Sequence, residues 1–208
     1  MKFAQNKLVG KVESVYLSEH PEPEYEGIDY FVTGQVDQLK LDTAGIIGDR
    51  HYGHEASSGG RMTNLYPRGE TVRNNRQILI VSPQELESCG RNLGIEGKLS
   101  AEDIGANMVV SGLENVSGIS PMSYLVINND PGPVKPSEFN VVLVAYAQAI
   151  PCEVAGRCVV DRHGLDEGMA NKFQKASFGA RGLAVYVEHG GVVKPGQYVH
   201  VLTPRGLD

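Results

Sequence analysis

The sequence predicts a mainly β protein, a β-barrel carrying a few peripheral α-helices. Three observations lead there. Short apolar runs alternate with Gly, Pro and Asn along nearly the whole chain, and glycine alone supplies 25 of 208 residues, the rhythm of a barrel or sandwich. One stretch carries a clear helix signature, and one or two others carry lesser ones. No internal repeat, low-complexity tract or linker divides the chain, so residues 1–208 are expected to form a single domain.

Residues 8–17 alternate apolar and polar side chains and form the first expected strand. Residues 19–42 hold seven acids and one base, Lys40, and with Pro21 and Pro23 they are expected to be an acidic loop or insertion. Residues 45–76 show little periodicity and are expected to be a long irregular segment, a length that is uncommon unless functional or disordered. Residues 77–82 form a buried strand. Ser82-Pro83-Gln84-Glu85 then starts a helix: Ser82 caps, Pro83 takes the first helical position and Glu85 closes a capping box. Leu86, Cys89 and Leu93 make its apolar stripe and Gly94 stops it, which makes Cys89 a core residue. Residues 108–110, 124–128 and 140–147 are further strands, the last preceded by a stiff connection containing Pro131, Pro133 and Pro136. Residues 168–177 are expected to be a short helix. Residues 183–189 and 197–203 are expected to make a C-terminal strand pair around the turn Gly190-Gly191.

Composition excludes several function classes. The formal charge of −6 disfavours a dedicated nucleic-acid binder, whose affinity comes mostly from phosphate neutralisation. The longest apolar run, residues 141–147, is far too short to span a membrane, and residues 1–10 lack a secretory h-region. Three widely spaced cysteines argue against a disulfide framework and favour a reducing, cytoplasmic location.

Cys152 is the most informative residue. It follows Ile150-Pro151, just after the run 141–147, where a buried strand hands its last side chain to a rim. The thiolate is the nucleophile or metal ligand, and a cation such as Arg157 favours it. Cysteine also behaves as a small buried hydrophobe, so a packing role stands beside the chemical one. Cys158, six residues on, is too distant for a Cys-x-x-Cys pair and is expected to pack on a strand, with a resolving thiol as the alternative. Between residues 50 and 76 the chain uses five arginines (Arg50, Arg61, Arg68, Arg73, Arg76), His51 and His54, and no lysine. Arginine's rigid fork suits phosphate or carboxylate, which favours a small-anion site, while pairing with Asp49, Glu55 and Glu70 is the structural alternative. The glycines of Gly45-Ile46-Ile47-Gly48-Asp49 let backbone amides approach an anion, although the segment lacks the ending of a phosphate loop. His51, His54 and Cys152 are weak zinc candidates, because no second ligand pair of clear spacing appears. Arg181, flanked by Gly179 and Gly182, enters a strand at a second rim position.

The order of these motifs resembles one family. Gly48-Asp49-Arg50-His51, then a basic loop, then Arg76-Gln77-Ile78-Leu79-Ile80-Val81-Ser82 running into Pro83-Gln84-Glu85-Leu86, is similar to the MOSC family. That is the C-terminal domain of molybdenum cofactor sulfurases, which also occurs as stand-alone bacterial proteins. The resemblance continues through residues 103–113, with Ala106 where the family has glutamate. It includes Pro151-Cys152 at the signature cysteine and Arg181-Gly182, and it ends over residues 193–201, with Gln197 where the family usually has aspartate. It covers roughly residues 8 to 202.

The resemblance implies a β-barrel built around that cysteine, which either carries sulfur as a persulfide or ligates the molybdenum of a pterin cofactor. Cys152 is then the catalytic residue and the metal ligand. Asp49, Arg50, His51, Arg61, Arg76, Asn107 and Arg181 are the candidate binders of the cofactor, molybdopterin, or of another small anionic ligand. The chain has no desulfurase domain, so a separate cysteine desulfurase is the implied sulfur source. The expected function is thus a sulfur carrier or molybdenum-cofactor-binding protein acting through one cysteine. One alternative is a molybdenum-dependent reductase of N-hydroxylated compounds, served by a separate electron-donor protein. Another is a non-catalytic small-anion binding or adaptor domain. Neither nucleic acid nor membrane is an expected partner.

Overall fold

A computed structural model describes residues 3–19, 32–59, 64–97, 99–135 and 141–204. The elements run β1 (Phe3–Glu19), β2 (Val32–Val36), β3 (Leu39–Asp42), β4 (Gly45–Ile46), β5 (Glu55–Ser57), β6 (Thr71–Arg73) and β7 (Ile78–Val81). Then come α1 (Pro83–Leu93), β8 (Met108–Ser111), β9 (Tyr124–Asn128) and β10 (Val141–Gln148). The chain finishes with α2 (Glu153–His163), α3 (Met169–Ala176), β11 (Leu183–His189), β12 (Gly191–Val193) and β13 (Tyr198–Pro204).

The main sheet runs β13-β9-β10-β11-β7-β8-β1-β2, and β13 also pairs with β1, so seven strands close into a ring with β2 beside it. Closure removes the free edges that an open sheet would present. The long β1 makes it possible by changing partners along its length: β13 over Phe3–Lys11, β8 over Lys11–Val15, β2 over Val15–Glu19. Every pairing in the ring is antiparallel except β7–β8. A parallel pair needs a crossover, and α1 provides it.

Strand side chains alternate between faces, and β7 and β8 show this most clearly. Ile78 and Ile80 of β7, with Met108 and Val110 of β8, enter the core inside the ring. Leu79, Val81 and Val109 point outward into a second apolar cluster with Leu86, Cys89 and Leu93 of α1, Ala155 and Val159 of α2, and Phe173 and Ala176 of α3. The helices therefore cover one wall of the ring. The expected start and stop of α1 are present: Ser82 and Glu85 complete a capping box, and Gly94 closes the helix in the left-handed region.

The structure differs from the sequence reading in four places. Residues 153–163 are a helix, so Cys158 packs on α2 and not on a strand. Segment 45–76 contains three short strands, β4 to β6. Within the expected acidic loop, residues 32–36 and 39–42 are strands, while 20–31 lie outside the described residues. The two C-terminal strands do not pair with each other: β11 lies between β10 and β7, β13 between β9 and β1, and β12 pairs with β3. The Gly190-Gly191 turn leads into that small second sheet instead.

Two glycines permit close approaches. At Gly182, φ is +97° and a Cβ would overlap the Ile80 carbonyl where β11 meets β7. At Gly156 a Cβ would overlap the Ala170 carbonyl where α2 crosses α3. Gly156→Ala is therefore expected to lower stability by about 1–3 kcal/mol through overpacking. Urea denaturation measures this, and an unchanged midpoint would show that the two helices separate freely.

Candidate functional site

Segment 48–54 is held by buried polar side chains. The Asp49 carboxylate is buried, and every bond it makes is internal. Its Oδ2 accepts from the Ser18 amide at 3.0 Å and from Asn107 Nδ2 at 2.8 Å. Its Oδ1 accepts from the His51 amide at 2.8 Å and lies 3.1 Å from His51 Nδ1. A carboxylate only accepts, so in this contact Nδ1 of the exposed His51 is the donor and the ring is oriented by Asp49. Asn107 in turn accepts from the Leu79 amide through Oδ1 at 3.0 Å, tying β7 to the loop. Asn74 donates to the carbonyls of His51 and Gly53, and Gln77 donates to that of Thr43 while accepting from the Val187 amide. A buried carboxylate is costly unless donors surround it, and here four do.

Of the predicted site residues, the structure brings Asp49, His51 and Asn107 into one network. Arg50 and Arg76 flank it, Arg50 donating its amide to the Ser18 carbonyl and Arg76 donating its own to Asn74 Oδ1. Arg76 is exposed and Arg50 half-buried. Arg61 lies outside the described residues. Arg73 stacks over the Tyr186 ring, with 5.0 Å between its guanidinium carbon and the centroid. Arg181 is buried, not at a solvent-facing rim, and its Nη2 donates to the Ile104 carbonyl at 2.5 Å. Gln197, where the family usually has aspartate, is also buried and accepts from the Lys194 amide at 2.8 Å. Ala106 is fully buried in the outer cluster.

Cys152 occupies the N-cap of α2 in extended geometry and makes no side-chain capping bond. It is half-buried against the outer cluster, which also holds Tyr16, Leu79 and Ala180. Its near neighbour Arg157 is paired with Glu153 at 2.5 Å, one turn apart on the exposed face of α2. The other two thiols are buried. Burial pushes the Cys89 thiol up to about 11, with Arg181 opposing and Glu85 reinforcing the shift. Sequence reasoning missed the helix that Cys152 caps. Its signals were present: Glu153 in the first turn, Arg162 and His163 in the last, and Gly164 as a left-handed stop. It also missed Asp103, a buried carboxylate that pins α2 through His163 Nε2 at 3.1 Å.

Among the described residues, no three His, Cys, Asp or Glu side chains stand close enough to hold a metal ion, so His51, His54 and Cys152 form no such cage. A shallow depression of about 400 Å³ is lined by Glu87, Arg91, Ile95 and Gly97, and none of the predicted residues lines it. No helix among the described residues is long and apolar enough to cross a membrane.

The fold is thus a ring of strands with helices over one wall and a half-buried thiol at a helix start. The family model for the MOSC domain matches residues 49–200, and the chain belongs to that family. It is 28% identical over 195 residues to YuaD of Bacillus subtilis (strain 168), a protein whose name associates it with metal-sulfur cluster biosynthesis. That alignment covers 94% of this chain and 91% of YuaD. The crystal structure of Bacillus subtilis YuaD superposes with a TM-score of 0.82 at 26% identity, covering 98% of this chain and all of the other. YiiM from Geobacillus stearothermophilus matches with a TM-score of 0.54 at 15% identity, over 95% of this chain and 77% of YiiM, a likeness of fold.

Asn107→Ala would leave the Asp49 carboxylate and the Leu79 amide each short of a buried partner. A loss of about 2–3 kcal/mol is expected in urea denaturation, and a loss within error would remove Asn107 as the pin of the loop. Cys89 supplies a pH signature. Its folded value is raised, so between pH 9.0 and about 11 the folded chain keeps a proton that the unfolded chain releases. Stability therefore falls as pH rises through that window. The fall should be shallower in Cys89→Ala, by at most about 1.4 kcal/mol per pH unit, as stability curves at several pH values would show.

Proposed function

We propose that this MOSC protein is a sulfur carrier that works through Cys152 and supplies sulfur for a metal-sulfur centre, the molybdenum cofactor among them. The supporting observation is the contrast among the three thiols. Cys152 alone is half-exposed and sits at the first turn of a helix, where backbone N–H groups point outward to receive an anion. The name of YuaD, which refers to metal-sulfur cluster biosynthesis, points the same way.

The step is a sulfur-atom transfer without net oxidation. The Cys152 thiolate attacks the terminal sulfur of a donor persulfide. A new S–S bond forms at Cys152, the donor's S–S bond breaks, and the donor sulfur leaves as a thiolate with the bonding pair. A reducing compartment keeps the thiols of both partners from oxidising to disulfides, which fits the cytoplasm.

The residues also suit one contact to molybdenum. A soft thiolate is an appropriate ligand, and with no cage of three protein ligands among the described residues the ion would arrive carrying its own. Exposed Arg76 and half-buried Arg50 would hold its anionic group, and Asp49 and Asn107 would hold that loop still without touching the ligand. When bound, the cofactor would present the metal that receives sulfur.

Incubation with a cysteine desulfurase and cysteine is expected to add one sulfur atom per chain by mass spectrometry. The adduct should map to Cys152, be released by reducing agents and be absent from Cys152→Ser. Wild-type protein left unmodified by both the desulfurase and inorganic polysulfide, or a sulfur that remains in the serine variant, would overturn the assignment.

A further inference from the structure

One end of the β9–β10–β11 sector carries an unusual set of exposed apolar side chains. Phe178 is 77% exposed, Ile150 58%, Met122 48% and Tyr146 37%. Strand register places them together. The Met122 amide donates to the Ala145 carbonyl at 2.7 Å, just before β9 begins. Gln148 pairs with Leu183, and the Ala149 amide donates to the Gly182 carbonyl at 2.8 Å, so Ile150 runs beside the start of β11. A Cβ on Gly179, next to Phe178, would stand 3.9 Å from Gln148 Nε2. Tyr146 lies where the β10–β11 register slips between Ala145 and Ala147. From this end the chain passes through Pro151 directly into Cys152.

Two further features mark the surface. Met122 is the single non-glycine among the described residues with left-handed φ, at 64°. That conformation costs an ordinary residue about 1–2 kcal/mol, and here it is kept while the side chain is turned to solvent. Lys172 and Lys175, one turn apart on α3, lie exposed just before Phe178, and α3 contains no acid although the chain as a whole is acidic. Isolated exposed apolar residues are normal, but a group rimmed by charge marks an interaction site.

We infer that this apolar rim with its two lysines is the seat of the sulfur-donating protein, which presents its persulfide on a protruding loop with apolar and acidic residues. The inference rests on the sulfur-carrier reading of Cys152. Thiol-to-persulfide transfer requires the two sulfurs to touch, so a protein donor has to cover the residues that lead into Cys152. A small persulfide needs no rim. The rim is modest, which suits a transient encounter; such interfaces bury less than about 1,200 Å² in total. Lysines at the edge would steer an acidic loop and act mainly on the association rate.

The test separates the two proposals. Wild-type protein, a Phe178→Ser/Ile150→Ser double variant and Lys175→Glu are each loaded from inorganic polysulfide and from a cysteine desulfurase supplied with cysteine, and persulfide at Cys152 is followed by mass spectrometry. The double variant should load from polysulfide at the wild-type rate, which also shows that it is folded, and from the desulfurase at least tenfold more slowly. Lys175→Glu should be slowed with the desulfurase at low salt, and high salt should erase the difference. Equal desulfurase rates for wild type and double variant would overturn the docking surface, as would wild-type protein that loads from polysulfide but never from the desulfurase. Loss of a dimer of this chain in the double variant, by sedimentation, would reassign the rim to self-association and overturn it too. Failure of wild type to load from polysulfide would overturn the role of Cys152 itself.

Discussion

Two strands have to be buried on both faces, and much of this molecule follows from that requirement. β7 and β8 put Ile78, Ile80, Met108 and Val110 inside the ring and Leu79, Val81 and Val109 outside it. An apolar outer face needs a cover, and the parallel pairing of the two strands demands a crossover that can begin it. α1 begins the cover, and α2 and α3 complete it. The second cluster joins all three helices to this wall and takes in Cys152 at its margin, half in and half out.

Polar side chains fasten the same wall from the other side. Asn107 sits just before β8, bonds to the Leu79 amide across the parallel pair and donates to Asp49. Asp49 then orients His51 and closes the loop onto β1 through the Ser18 amide. Loss of any one member would strand the others without water, so the group stands or falls as a unit. Asp49 and Asn107 are thus supports of the loop, committed to bonds within it, while the side chain of His51 stands exposed at its surface.

Much of this was legible in the chain. The run 78–81, the capping box of Ser82 and Glu85 and the stop at Gly94 are local signals, and local signals decided those elements. The MOSC motif order was legible too, because spacing along the chain survives where contacts do not show. The rest was hidden for a physical reason. α2 follows a strand and a proline, and its apolar positions, Ala155, Cys158 and Val159, are few and small because Gly156 lets α3 lie close. The pairing of the last strands was misjudged because a hairpin is the cheapest local solution, while ring closure is a long-range one that sends β13 to β1. Arg181 carried the residue type of an anion binder, yet burial turned its guanidinium toward the Ile104 carbonyl.

The three cysteines show why position outweighs chemistry in reading such a chain. Cys89 faces the apolar wall from α1, donates to the Ala180 carbonyl and holds its proton up to about 11. Cys158 is buried one and a half turns into α2. Either would have to leave its packing to react, and that exposure would open the cover over β7 and β8. Cys152 has less packing to leave, because it is half-buried at the end of a helix: its backbone belongs to the fold, through the Gly156 amide that donates to its carbonyl at 3.1 Å, while its sulfur makes no capping bond. For the proposed sulfur carrier, a thiol at the end of a rigid element is the arrangement that would let chemistry proceed without unfolding the core.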